Sequence, residues 1–247
     1  MMARHKRLCV FFQALLIYLL PFHSYLQART HMEMLIDQAV QKESFSSEMA
    51  SILEQGKKDE KYLIQLAGDE KQSWKKRWVA AMALGHIHSH SSKASLEKLT
   101  RSPIYTLREA AYRGLMNHKN TSQSRVLCLE DPALPVRSAC VDMIVEKKET
   151  QATEAMARSL FSEINFRKGN SLSIREKIIW ALGELGDQEV TDDLMKVFEE
   201  KVQTPSLKNR TCESLQKIHS LKADSKTESC ENFWRDWYKK QASQTLS

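Results

Sequence analysis

Glycine and proline are scarce in this chain, at 7 and 5 of 247 residues, as expected of a largely helical protein. The motifs of several chemistries are missing too. No GxSxG turn offers a nucleophilic serine, no HExxH helix offers zinc and a base, and no glycine-rich loop opens a helix to cradle phosphate. No CxxC spacing supports a zinc site. Catalytic, cofactor-binding and metal-ligating residues are therefore expected to be none, and the chain is read as a non-enzyme. The apolar run Leu8–Phe22 is 15 residues long, short of the roughly twenty that span a bilayer as a helix. No long low-complexity linker divides the chain, which favours one elongated domain.

What the sequence has instead is a repeat. Arg77, Arg108, Arg137, Arg175 and Lys208 recur at separations of 31, 29, 38 and 33 residues. One position before them stand Leu107, Val136, Ile174 and Leu207, with Lys76 as the exception in the first repeat. Three after stand Ala80, Ala111, Cys140, Ile178 and Thr211; seven after stand Leu84, Leu115, Ile144, Leu182 and Leu215. Positions four apart share one helical stripe. The sixth position carries mostly small residues, Ala83, Gly114, Met143, Ala181 and Ser214, which lets another helix approach closely. Second helices are predicted over Lys93–Leu99, Gln123–Leu129, Thr153–Phe161 and Val190–Phe198. Prolines 103, 132, 135 and 205 mark the joints between units. A unit of this length cannot bury its apolar face alone and must stack on its neighbours.

Ala181-Leu-Gly-Glu-Leu-Gly-Asp187 after Ser173-Ile-Arg175 resembles the HEAT-like repeat of phycobilisome-lyase-type proteins. So do Leu129-Glu-Asp-Pro132 before Val136-Arg137, and Leu66-Ala-Gly-Asp69 before Ala80-Ala-Met-Ala-Leu-Gly85. The resemblance covers about Lys61 to His219. It implies an all-α fold, a right-handed α-solenoid of about five stacked helix–turn–helix repeats, in which acidic and arginine positions tie neighbours together. The chain departs from the pattern in two ways. The acid before the anchor is clear only at Asp69 and Asp131, and a longer loop surrounds Arg167-Lys-Gly-Asn170. Such repeats serve many tasks, so the resemblance specifies fold more than function.

Arg4, Lys6 and Arg7, then the apolar run, then Leu26-Gln-Ala28 have the layout of a secretory signal peptide. Export is expected, periplasmic or secreted, with cleavage near Ala28; retention of the segment as a membrane anchor is the alternative. Cleavage lowers the formal charge from +6 to +3, leaving 34 basic against 31 acidic residues, without the basic excess of a nucleic-acid binder. Cys128, Cys140, Cys212 and Cys230 remain, in a compartment where disulfides form. Four cysteines allow three connectivities, of which the adjacent pairs Cys128–Cys140 and Cys212–Cys230 are the simplest geometrically. The other reading is that Cys140 and Cys212, three and four positions after their anchors, are small buried side chains.

The resulting organisation is a signal peptide over 1–28, N-terminal lead-in helices over 29–60, the repeat domain over 61–220, and a polar linker with an aromatic capping helix over 221–247. The anchors Arg77, Arg108, Arg137, Arg175 and Lys208 read as framework, making inter-repeat hydrogen bonds and ion pairs. His86-Ile-His-Ser-His90 falls in a turn and reads as exposed polar surface. In the last helix, Phe233, Trp234, Trp237 and Tyr238 share a face that packs on the last repeat, anchors a partner, or divides between the two. The partner is expected to be another protein. Its contacts are expected at Trp234, Trp237 and Tyr238 and at mixed charges on the second helices: Lys93, Glu97, Arg125, Glu154, Arg158, Asp193 and Lys196. The leading function is a non-catalytic scaffold of the cell envelope or secreted space. The rivals are a lyase or other cofactor-handling enzyme and a membrane-anchored structural protein. A deep pocket bringing together acid, base and cysteine favours the enzyme.

Overall fold

The computed structural model describes residues 31–42, 46–119, 122–200, 204–221 and 229–245. The expected signal segment over 1–28 and most of the polar linker lie outside the described residues. The described chain is a succession of helices. They are α1 (31–42), α2 (Ser46–Gly56), α3 (Glu60–Gly68), α4 (Trp74–Leu84), α5 (His90–Leu99), α6 (Tyr105–Leu115), α7 (Ser122–Leu127), α8 (Leu134–Glu146), α9 (Thr153–Leu160), α10 (Ser173–Leu185), α11 (Thr191–Val197), α12 (Pro205–His219) and α13 (Cys230–Thr245). The chain divides into two compact units between His118 and Lys119.

In the first unit, α4 packs against α2, α3, α5 and α6, and α5 packs against α3 and α6. Met32, Ile36, Leu63, Leu66, Leu84, Leu96 and Leu115 are among the side chains that fill its core. In the second unit, α10 packs between α8 and α12 and against α9, while α12 is flanked by α11 and α13. The predicted stripe is the buried one in both. Every apolar or threonine side chain named above at one before, three after and seven after an anchor is no more than 2% exposed.

Local chemistry sets the helix ends. Ser73 caps α4 by accepting the Lys76 amide, Ser89 and Ser92 form a reciprocal capping box on α5, and Thr204 accepts the Leu207 amide at α12. Pro135 and Pro205 occupy the first turns of α8 and α12, where no amide hydrogen is missed. Gly186 ends α10 with φ 71°, the left-handed conformation that glycine adopts without cost.

The small sixth position has a structural partner in the preceding repeat. A Cβ on Gly85, eight after Arg77, would stand 2.5 Å from the Gly114 Cα, six after Arg108. A Cβ on Gly183, eight after Arg175, would stand 2.7 Å from the Ser214 Oγ, six after Lys208. The same register thus brings first helices into near-backbone contact in each unit. Gly85→Ala presses on backbone that cannot rotate away, so it is expected to lower stability by about 1–3 kcal/mol in a urea melt.

The four arginine anchors repeat one physical task. The last carbonyls of a helix have no acceptor role inside it, and they concentrate negative partial charge. Each arginine, on a first helix, donates to carbonyls at the end of the preceding helical segment. Arg77 Nε donates to Ala67 O at 3.0 Å. Arg108 Nη1 donates to Ser102 O at 2.9 Å and Pro103 O at 3.3 Å, just after α5. Arg137 Nη1 donates to Asp131 O at 2.6 Å, after the short 3-10 turn Cys128–Glu130 that extends α7. Arg175 Nε donates to Leu160 O at 2.8 Å. Arg77, Arg137 and Arg175 are buried and Arg108 is half-buried. Burial holds the Arg137 pKa below the usual arginine value, with nearby Asp131 opposing the shift. Lys208 departs from the set: its side chain is 39% exposed and pairs with Glu231 of α13 at 2.8 Å.

The longer loop of the third repeat is a two-residue β-hairpin. Phe166–Arg167 pairs antiparallel with Asn170–Ser171 around Lys168 (φ 52°) and Gly169 (φ 76°), the positive-φ pair that tight hairpins require. It carries Phe166 to 4.3 Å from the Arg175 guanidinium carbon. The preceding turn brings Asn165 Oδ1 to Arg137 Nε at 2.9 Å.

Candidate protein-binding surfaces

The charged side chains of first and second helices pair differently. On first helices several ties cross from one helix to the next, beside the intrahelical pairs Arg113–Glu109 of α6 and Arg210–Glu213 of α12. In the first unit Lys76 of α4 meets Asp37 of α1 at 2.5 Å. In the second, Lys177 of α10 reaches Asp142 and Ser138 of α8 at 2.6 and 2.8 Å, and Lys217 of α12 meets Glu184 of α10 at 2.5 Å. Ser206 of α12 donates to Glu176 of α10 at 2.7 Å.

The candidate partner-contacting charges on second helices pair within their own helix. Lys93 and Glu97 stand 3.8 Å apart on α5 in the first unit. In the second unit, Arg158 pairs with Glu154 on α9, and Lys196 with Asp193 at 2.8 Å on α11. The hydrogen bond that Lys196 donates to Asp193 raises the Lys196 pKa. The Arg158 and Glu154 side chains are 62% and 84% exposed. Exposed pairs of this kind contribute little to folding, so exchanging them for a partner's charges costs the fold little. Arg125 lies on α7, with its side chain outside the described residues.

The aromatic face of α13 divides. Trp234 is 0% exposed, so the expectation that it contacts a partner gives way: it is a core residue of the second unit. Its ring lies 5.2 Å from Phe233, 5.2 Å from Trp237 and 5.6 Å from His219. Trp237 and Tyr238 keep half-buried positions at the rim. Trp237 stacks 4.5 Å from His219, and Tyr238 donates to Asp192 of α11 at 2.7 Å. That hydrogen bond raises the Tyr238 pKa. Glu231, bonded to Lys208 and Arg235, is held below the usual carboxylate range. Arg235 also donates to Phe198 O. Cys212 and Cys230 stand at disulfide-bonding distance, Cα atoms 6.2 Å apart, and link α12 to α13.

Cys128 and Cys140 form a second pair at disulfide-bonding distance, Cα atoms 5.8 Å apart. Cys140 is also fully buried at its stripe position, so the two sequence readings of this residue hold together. His86, His88 and His90 are exposed in the turn before and at the start of α5, while Ile87 between them is buried. Among the described residues, no group of three His, Cys, Asp or Glu side chains is placed to hold a metal ion. A cleft of about 400 Å³ in the first unit is lined by Glu33, Asp37, Tyr62, Gln65, Asp69 and Lys76 among others. No cysteine lines it, and Lys76 is engaged by Asp37.

His219 gives this end of the molecule a pH dependence. Burial lowers its pKa from 6.5, and its Nε2 lies 2.9 Å from the Thr191 hydroxyl. A lowered folded pKa means the native state resists a proton that the unfolded chain accepts. The neutral-ring contribution is complete above 6.5 and is lost as pH falls from 6.5 through the folded pKa. Urea melts at about pH 7.5 and 5 are expected to show this loss, and His219→Gln to reduce it.

With this geometry in place, the similarities to known proteins are limited and specific. Residues 174–200, spanning α10, its capping turn and α11, match the PBS lyase HEAT-like repeat family. That segment therefore is a HEAT-like repeat. No curated protein matches the chain. A solved structure similar to it is the designed armadillo repeat protein YIII(Dq)4CqI, with 14% identity, a TM-score of 0.44, and coverage of 77% of this chain and 92% of that one.

Proposed function

We propose that this chain is a non-catalytic scaffold that binds another protein through the exposed faces of its second helices. One observation carries the reading. Several first-helix charges tie one helix to the next, whereas the pairs Lys93–Glu97, Arg158–Glu154 and Lys196–Asp193 run along their own helices. A mixed-sign surface with little folding work suits a protein partner. Trp237 and Tyr238 at the rim of α13 add two half-buried aromatic contacts, a residue type enriched at binding hot spots. No nucleic acid or cofactor is assigned. The test is affinity capture of the tagged protein from the envelope fraction of its producing cells, beside Lys93→Glu/Arg158→Glu/Lys196→Glu. Partners recovered by the parent and lost by the equally folded variant are expected. A set that the variant retains unchanged refutes the reading.

We further propose an exported, oxidising location. The basic-then-apolar pattern of residues 1–28 and the two cysteine pairs at bonding distance support it. Intact-mass and peptide mapping of the purified protein is expected to show a chain starting near Arg29, with Cys128–Cys140 and Cys212–Cys230 cross-linked. Free thiols at all four positions, or an intact Met1, count against it.

A further inference from the structure

Trp74 and Tyr105 stand in water at the same register of consecutive repeats in the first unit. Each lies three residues before its anchor, Arg77 or Arg108, and they are 45% and 46% exposed. They open α4 and α6, which pack side by side. Stacking does not require an aromatic ring here, because the same position in the second unit holds Leu134, Leu172 and Pro205. Nor do the rings cap their helices: Ser73 is the N-cap of α4 and Ile104 that of α6. Neither ring makes a ring contact or a hydrogen bond with another described residue. Large aromatic side chains left in this state gain by being covered.

On the two turns themselves the exposed charge is mostly basic, while Glu33 and Asp37 of α1 line the adjoining cleft with Asp69, Gln72 and Lys76. Lys71 and Lys75 flank Trp74, and Lys98 and Arg101 at the end of α5 lead into Tyr105; all four are exposed. Across these turns the exposed opposing charges are Glu70 and Glu97, and Glu97 is engaged by Lys93. Asp69 is half-buried, its carboxylate accepting the Lys71 amide. The N-terminal ends of α4 and α6 add further positive partial charge at the same edge.

We propose that this edge docks an acidic, extended segment of a partner protein. Two apolar side chains of the segment cover Trp74 and Tyr105, and its carboxylates meet Lys71, Lys98 and Arg101. The proposal rests on the protein-binding reading above but uses different residues. Spacing narrows the occupant. Packed helices lie about 8–10 Å apart, and a polyproline-II chain advances about 9 Å in three residues, returning its side chain to the same face. A segment with apolar residues at the first and fourth positions and acids around them therefore matches both rings.

The test is fluorescence anisotropy of the full chain with the labelled peptide Glu-Leu-Glu-Pro-Leu-Glu, whose leucines are three residues apart. Binding is expected, weakened about tenfold or more by Trp74→Ala or Tyr105→Ala, and abolished by Lys71→Glu/Arg101→Glu. All four positions are exposed, so thermal melts of these variants should overlay the parent. Lys93→Glu/Arg158→Glu/Lys196→Glu should leave peptide binding unchanged. This separates the two proposals: peptide binding that persists while partner capture is insensitive to the second-helix charges upholds this edge and removes the wider reading. Absence of peptide binding overturns the proposal, as do parent-like affinity in the two ring variants or tighter binding of a poly-lysine peptide, a single-stranded oligonucleotide or phosphatidylglycerol vesicles.

Discussion

Arg175→Ala is expected to lower stability by about 3–5 kcal/mol, the largest loss of any anchor substitution. Arg175 is the only anchor at 0% exposure, and its guanidinium is used on every side. Nε donates to the Leu160 carbonyl, Nη1 donates to Glu200 at 3.0 Å, Nη2 donates to the same carboxylate, and the Phe166 ring covers one face. Alanine leaves a cavity, a carbonyl without its donor, and Glu200 with its partner gone. Arg175→Lys restores charge but not the planar fork, so it is expected to recover less than half of the loss. Arg175→Met/Glu200→Leu is expected to be less damaging than Arg175→Met alone, because removing both partners leaves no uncompensated charge. Urea denaturation followed by circular dichroism reads all four variants. An Arg175→Ala loss below about 1 kcal/mol would show that the guanidinium is not part of the framework.

Trp234→Ala is expected to cost about 3–5 kcal/mol in the second unit, the range for truncating a buried large aromatic side chain. The effect exceeds a simple cavity because Trp234 is the fully buried anchor of α13. Around it, Lys208–Glu231 and Tyr238–Asp192 are rim contacts of modest worth. The Cys212–Cys230 link keeps α13 tethered after the ring is removed. The oxidised variant should therefore melt earlier than the parent yet still cooperatively, and reduction should lower it further. Trp237→Ala, at a half-buried ring, should cost clearly less. Equal costs at the two positions would contradict the division of the aromatic face.

The fold was legible because it depends on periodicity. Stripe residues such as Leu84, Ile178 and Leu215 recur as apolar positions in nearly every repeat, with Lys76 and Thr211 as the exceptions, and burial by neighbouring helices demands that character. Proline and capping residues mark helix starts through local rules that need no tertiary information. The partners of the anchors were not legible. Asn165 and Glu200 lie 28 and 25 residues from Arg137 and Arg175, and no local pattern announces a carboxylate or amide that becomes a partner only when two segments meet. The hairpin over 166–171 hid behind loop composition, although Lys168-Gly169 between short flanks is its local mark. Trp234 and Trp237 are indistinguishable in sequence because both lie on the aromatic side of α13; the packing of α13 on α12 decides which is buried. Trp74 and Tyr105 share a register visible in the sequence, but their exposure depends on the neighbouring helices.

The division of labour between the two sets of charges is tested most directly by comparing two charge reversals for melting temperature and partner capture together. Lys93→Glu/Arg158→Glu/Lys196→Glu sets like charges along single helices, so it is expected to lower the melting temperature only slightly and to lose the partner. Lys177→Glu/Lys217→Glu, which breaks ties between first helices, is expected to lower the melting temperature and keep the partner. The opposite outcome, with stability lost in the second-helix variant and binding lost in the first-helix variant, would contradict the account.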